Sequence, residues 1–116
     1  MRTVFADTSF YVAISSPRDV LHQRALDVAG PFRGHIVTTE FVLIELGNWL
    51  SRTRDRQVFI QLVEQVRSDP AATILPATTD LFRQGYELFS QRSDKDWSMV
   101  DCISFVVMHQ HSVTEA

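Results

Sequence analysis

The chain is short of the residues that brace or stiffen a fold. Among its 116 residues there is one cysteine, Cys102, with four prolines and four glycines. A single thiol excludes an intramolecular disulfide and a cysteine-based zinc site, so a reducing, cytoplasmic setting is expected. Lysine is as scarce, Lys95 being the only one, and 11 basic residues face 14 acidic ones for a formal charge of −3. A mildly acidic chain cannot offer a broad basic surface to DNA, although a small, focused nucleic-acid site remains compatible with it. No run of about 18 apolar residues is available to cross a bilayer, and no apolar stretch follows a basic start, so neither a membrane span nor a secretory leader is expected. His22, His35, His109 and His111 lack the spacing of zinc ligands.

What remains is an ordinary globular composition, 45% hydrophobic and 22% charged, which suits one folded domain over residues 1–116. Short apolar runs rich in β-formers occur at 2–6, 35–38 and 73–75, and a fourth, 112–114, stands close to the end. Between them lie segments with helical periodicity, opened by capping residues and closed by Gly-Pro, Asp-Pro or polar joints. The first helix follows Asp7 and ends at Ser15-Ser16-Pro17, and Asp19 is expected to cap the second. Thr38 or Thr39 caps a third that reaches Trp49 or Leu50. A fourth covers Val58 to Arg67, Thr78 or Thr79 opens a fifth, and Ser98 to about His109 forms a last, nearly all-apolar helix. Strands without alternation, separated by helices, indicate a parallel sheet covered on both faces, a three-layer α/β/α sandwich. In such folds a site forms beyond the carboxyl ends of the strands.

Most acids lie among polar neighbours, but three interrupt apolar segments: Asp7 after Val4-Phe5-Ala6, Glu45 within Phe41 to Leu46, and Asp101 between Val100 and Cys102. A carboxylate buried without a partner costs several kcal/mol, about what makes it neutralise or recruit a cation. Each has a plain alternative. Asp7 can cap a helix, and Glu45 can lie on the wetter edge of its helix. Asp101 is harder to dismiss, because residues 98, 101 and 104 form one narrow polar stripe on an otherwise apolar helix. Taken together, all three fall where strands hand over to helices. Such a cluster is expected to bring its oxygens close enough to share one or two ions, and a hard cation such as Mg²⁺ or Mn²⁺ prefers oxygen ligands of this kind. Phosphodiester hydrolysis is chemistry that suits such a centre.

The segments VFADTSFYVA, VTTEFVLIELGNWL and DKDWSMVDCISFVVM resemble, in order and spacing, those of PIN domains, the nuclease family that includes the VapC-type toxins. The resemblance spans nearly the whole chain. It implies a small α/β/α ribonuclease dependent on Mg²⁺ or Mn²⁺, with Asp7, Glu45 and Asp101 as acidic metal ligands. It also implies supporting roles for Thr8, Ser9, Asp96 and Ser98, an RNA substrate, an antitoxin partner and a homodimer. The family pattern continues through a further strand and a loop bearing a fourth acid. This chain stops at Ser112 to Ala116, so a C-terminally shortened domain lacking an edge strand is expected, and Glu115 is a poor substitute for the fourth acid.

Arg52, Arg54 and Arg56 alternate just after the Glu45 helix and can hold phosphates, or form a solvated joint. Trp49 and Trp97 are read as packing residues and Cys102 as an inert core thiol. Two other functions compete with the nuclease. One is a non-catalytic RNA- or protein-binding module on the same scaffold, separated from a nuclease by binding without turnover. The other is a phosphatase or phospho-acceptor, disfavoured because no second Asp lies two residues after Asp7 and no lysine follows the third strand at a suitable place.

Overall fold

The computed structural model describes residues 2–115. Strands β1 (Thr3–Phe5), β2 (His35–Thr39) and β3 (Ala72–Leu75) form one parallel sheet in the order β1-β2-β3. Each crossover contains two helices: α1 (Thr8–Ser15) and α2 (His22–Ala29) before β2, then α3 (Glu40–Trp49) and α4 (Arg56–Ser68) before β3. Helices α5 (Thr79–Gln91) and α6 (Met99–Gln110) follow as a closely packed pair.

The strand register aligns Val4 with Ile36 and Ala72, and Phe5 with Val37 and Thr73. Because side chains alternate, the two sets face opposite sides of the sheet. Val4, Ile36 and Ala72 border an apolar cavity of about 270 Å³ whose other walls include Phe10 and Ile14 of α1, Val28 of α2, and Leu62 and Val66 of α4. Phe5 and Val37 instead join the buried core with Val42 and Leu46 of α3, Leu81 of α5, and Ile103 and Val107 of α6. Helices thus cover both faces, as the apolar strands imply. Burying side chains of this size contributes roughly 1.5–3 kcal/mol each. Tyr11 lies in the same core, and burial pushes its phenol up to about 12, so it stays neutral across the physiological range.

Local chemistry explains the helix starts. Asp7, Thr39, Thr78 and Ser98 each accept a hydrogen bond from the backbone N–H three residues on, which satisfies a donor the helix cannot. The second helix departs from expectation. It begins at His22 rather than beside Asp19, because Asp19 Oδ1 accepts from the Leu21 N–H in a turn of its own. Val20 and Leu21 are left in solvent. Helix α4 begins at Arg56, two residues before the expected Val58.

The expected fourth strand at 112–114 does not form. Ser112 turns into the left-handed region at φ 54°, and the Val113 N–H bonds back to the Met108 carbonyl. A backbone bond to β1 comes at Glu115, whose carbonyl accepts from the Phe5 N–H at 2.9 Å. The sheet has three strands among the described residues.

Gly85 is where α5 meets α6. A Cβ at this position would lie 3.2 Å from both the Cα and the amide nitrogen of Ile103 and would press on its side chain. An exposed helical glycine gains roughly 0.5–1 kcal/mol when replaced by alanine. Here the sign reverses: Gly85→Ala is expected to lose about 1–3 kcal/mol through overpacking, read from the midpoint of urea unfolding.

Candidate active site

Asp7 leaves the end of β1, Glu45 lies in the middle of α3, and Asp101 lies in the first turn of α6. The fold brings all three to one cavity of about 370 Å³, whose walls also include Thr8, Ser9, Ser98 and Ser104. No basic side chain lines it among the described residues. The apolar cavity bordered by Val4, Ile36 and Ala72 is a weaker candidate. Of the charged residues that line it, Arg2 and Glu115 neutralise one another at 2.6 Å and Asp69 Oδ1 accepts from the Ala71 N–H, leaving no converging reactive set. Glu115 is thereby occupied away from the three acids, in keeping with its being a poor substitute ligand.

Two backbone ties hold Asp7 in position. The Ala6 N–H donates to the Val37 carbonyl at 2.9 Å, and the fully buried Thr38 hydroxyl donates to the Ala6 carbonyl at 2.8 Å. Asp7 Oδ1 accepts from the Phe10 N–H at 3.0 Å and from the Ser9 hydroxyl at 2.9 Å, so its other oxygen is left for the cavity. Asp101 is held reciprocally with Ser98. The Asp101 N–H donates to the Ser98 hydroxyl at 3.0 Å, and the Ser98 N–H donates to Asp101 Oδ2 at 3.1 Å. Glu45 differs from both. It is half-buried, and among the described residues it has neither a hydrogen bond nor an ion pair.

These placements correct the expectation of three buried, costly charges. Asp101 is exposed, and Asp7 and Glu45 are half-buried. Asp7 and Asp101 sit at helix N-termini, where unpaired N–H groups and the helix dipole favour a carboxylate by about 0.3–1 kcal/mol each. Water and helix ends, rather than burial with a counter-ion, accommodate the charge.

Oxygen donors without a competing base suit a hard divalent cation in type. Thr8 adds a buried hydroxyl that finds no partner among the described residues. Yet no three His, Cys, Asp or Glu side chains among those residues stand close enough to hold one ion together. The acids share a cavity but reach it from separate elements, Asp7 from the end of β1, Glu45 from α3 and Asp101 from α6. Mg²⁺ commonly keeps several waters and takes one or two carboxylates directly, which such spacing accommodates.

The remaining sequence candidates divide. Asp96 is exposed and does not line the cavity, whereas Ser98 does. Arg52 lines a hollow beside Glu45, Arg54 lies 3.9 Å from Asp55, and Arg56 donates to the Ser51 carbonyl at 2.8 Å, closing the joint before α4. Trp97 packs edge-on against Phe105 with centroids 4.8 Å apart, as a packing residue should. Trp49 overturns that reading, for it is exposed at the cavity wall. Burial, and then the neighbouring Asp101 charge, push the Cys102 thiol up, which keeps it protonated and inert. Asp19 also lines the cavity and was missed among the solvated acids. Its place near the cap of an early helix gave no signal of that.

A short parallel α/β domain with an acid-lined cavity at the strand-to-helix junctions defines the class of molecule. The chain belongs to the PIN domain family, which matches residues 4–115. It is 26% identical over 113 residues to the 23S rRNA-specific endonuclease VapC20 of Mycobacterium tuberculosis, in strains CDC 1551 / Oshkosh and ATCC 25618 / H37Rv. The match covers 97% of this chain and 86% of VapC20. The crystal structure of M. tuberculosis VapC20, described as a Sarcin-Ricin loop cleaving toxin, superposes with a TM-score of 0.85 at 24% identity. That superposition covers 95% of this chain and 84% of the other.

The Thr38 tie is testable by itself. Thr38→Val keeps the side-chain shape but removes the donor from a buried carbonyl, and is expected to cost about 1–3 kcal/mol. Thermal or urea unfolding measures the loss.

Proposed function

We propose that this chain is a divalent-metal-dependent endoribonuclease, the toxin of a toxin–antitoxin pair, with Asp7, Glu45 and Asp101 as its acidic centre. The carrying observation is Glu45: among the described residues it is a half-buried carboxylate without a partner, in a cavity with no basic side chain that it shares with the other two acids. PIN membership and the similarity to an rRNA endonuclease support RNA as the substrate.

Mg²⁺ or Mn²⁺ held by these carboxylates supplies Lewis-acid polarisation of a phosphoryl oxygen and eases deprotonation of water. The chain's own residues do the positioning. Ser9 fixes one Asp7 oxygen and leaves the other toward the cavity, while the reciprocal bonds with Ser98 fix Asp101. Glu45, with both oxygens unpartnered among the described residues, can turn toward a cation or take a proton from an attacking water. Thr8 offers a buried hydroxyl to a bound water, and Asp96 is left a remote, exposed contributor.

A lone protonated thiol and the lack, among the described residues, of any helix long and apolar enough to cross a membrane suit a cytoplasmic toxin. An antitoxin segment laid over the cavity would shut it. A second copy of the chain is the other partner, and the exposed aromatics Phe82, Tyr86 and Phe89 on one stripe of α5 offer it a surface. Sedimentation at rising concentration is expected to show a dimer that Phe82→Asp dissociates.

A second reading, an RNA-binding module that does not cut, draws on the separation of the acids. Cleavage of RNA in Mn²⁺ distinguishes the two. Glu45→Gln removes one charge and breaks no hydrogen bond, so its unfolding midpoint is expected to stay unchanged. Its cleavage rate should fall at least about 100-fold, since loss of an outer partner of a metal ligand alone costs 10–100-fold. Wild-type protein that binds RNA but gives no Mn²⁺-dependent products establishes the module instead.

A further inference from the structure

Trp49 is 66% exposed, although an indole in water forfeits the burial that normally governs where tryptophan lies. The chain's other tryptophan shows the contrast: Trp97 is packed on Phe105, with the Arg92 guanidinium 5.2 Å from its ring centre. Trp49 stands four residues after Glu45 on α3, hence on the same side of the helix. It forms part of the wall of the carboxylate cavity and of two hollows that adjoin it. One is shared with Glu45 and Arg52, the other with Arg18 and Arg54 and with the carboxylates of Asp19 and Asp55. Neither Arg52 nor Arg18 has an ion pair among the described residues, and Arg54 reaches Asp55 only at 3.9 Å. Arg56 is excluded from the set because its guanidinium is spent on the Ser51 carbonyl.

An open aromatic face flanked by guanidinium groups is the combination that binds single-stranded nucleic acid: a base stacks on the ring while cations take the phosphates on either side. The cavity itself is acidic and repels a phosphate backbone, so the strand needs an anchor outside it. Trp49 supplies that anchor on the rim, with a positive charge on each side. We propose that Trp49 is a base-stacking platform for RNA at the mouth of the carboxylate cavity, with Arg52, Arg54 and Arg18 holding the flanking phosphates. The inference rests on the nuclease reading for its substrate class, but it concerns binding and is testable without cleavage.

The probe is a mixed-sequence single-stranded RNA of about 12 nucleotides, within the span such sites cover, added in EDTA so that metal-dependent cleavage cannot occur. A Trp97→Phe background leaves Trp49 as the only indole. RNA is expected to quench its fluorescence, and Trp49→Ala to weaken binding by about tenfold or more, while Trp49→Phe retains most of the affinity. Arg52→Gln is expected to weaken binding and to reduce the salt dependence by about one counter-ion. Quenching that persists in Glu45→Gln, or in protein that never cleaves RNA, upholds the platform even where the nuclease reading fails. RNA binding that leaves Trp49 fluorescence unchanged and is indifferent to Trp49→Ala overturns the platform, even in an active nuclease. An absence of RNA binding by the folded protein also overturns it and assigns the exposed ring to a protein partner.

Discussion

The parallel pairing of β1 with β2 governs where the acidic site can exist. Three aligned residue pairs, the Ala6–Val37 backbone bond and the Thr38 hydroxyl on the Ala6 carbonyl fix the end of β1. Asp7 then leaves the sheet beside the start of α3. A parallel ladder also requires each strand to return through a crossover, which puts the helix starts beyond the carboxyl ends of the strands. Helices α1 and α3 begin there for that reason, and the α5–α6 pair, seated through Gly85 against Ile103, delivers Asp101 from the other side.

The site then handles its negative charge without burying it. Asp7 and Asp101 both serve as helix-terminal acceptors, and each keeps an oxygen in reserve. Capping and ligation are compatible in this arrangement, because a carboxylate has two oxygens and the helix end takes only one. Capping also orients the remaining oxygen, since it locks the side chain through a short backbone loop. Glu45 has no such duty and is the member of the set whose position the local backbone explains least. It is half-buried with no hydrogen bond or ion pair among the described residues, which leaves its carboxylate available to a ligand in the cavity.

Exposed apolar surface is unevenly distributed over the molecule. One part is a stripe on α5 and another is Trp49 beside the acids. The two differ in their surroundings. The α5 aromatics lie on a helix whose charged residues pair internally, Arg83 with Asp80 and Glu87, so that face offers little to a phosphate. Trp49 is bordered by Arg52 and Arg18, which have no ion pair among the described residues, and by Arg54, which reaches Asp55 only at 3.9 Å, a setting that suits an anionic ligand.

Much of the architecture was legible in the sequence because its causes act over three or four residues. The caps at Asp7, at Thr38 or Thr39 and at Thr78 or Thr79, the apolar strands, and the stripe through Ser98, Asp101 and Ser104 depend on backbone geometry that neighbouring residues share. So did the candidacy of the three acids, each out of place in its own segment. Tertiary structure alone decided what depends on distant segments meeting. It brought residues 94 positions apart to one cavity from separate elements, joined Asp19 to them, and left Trp49 in solvent. It also turned the chain at Ser112 before a fourth strand could pair. A residue's local neighbours fix its backbone, whereas its exposure and its charged company depend on which crossover lands beside it, and no short window of sequence contains that.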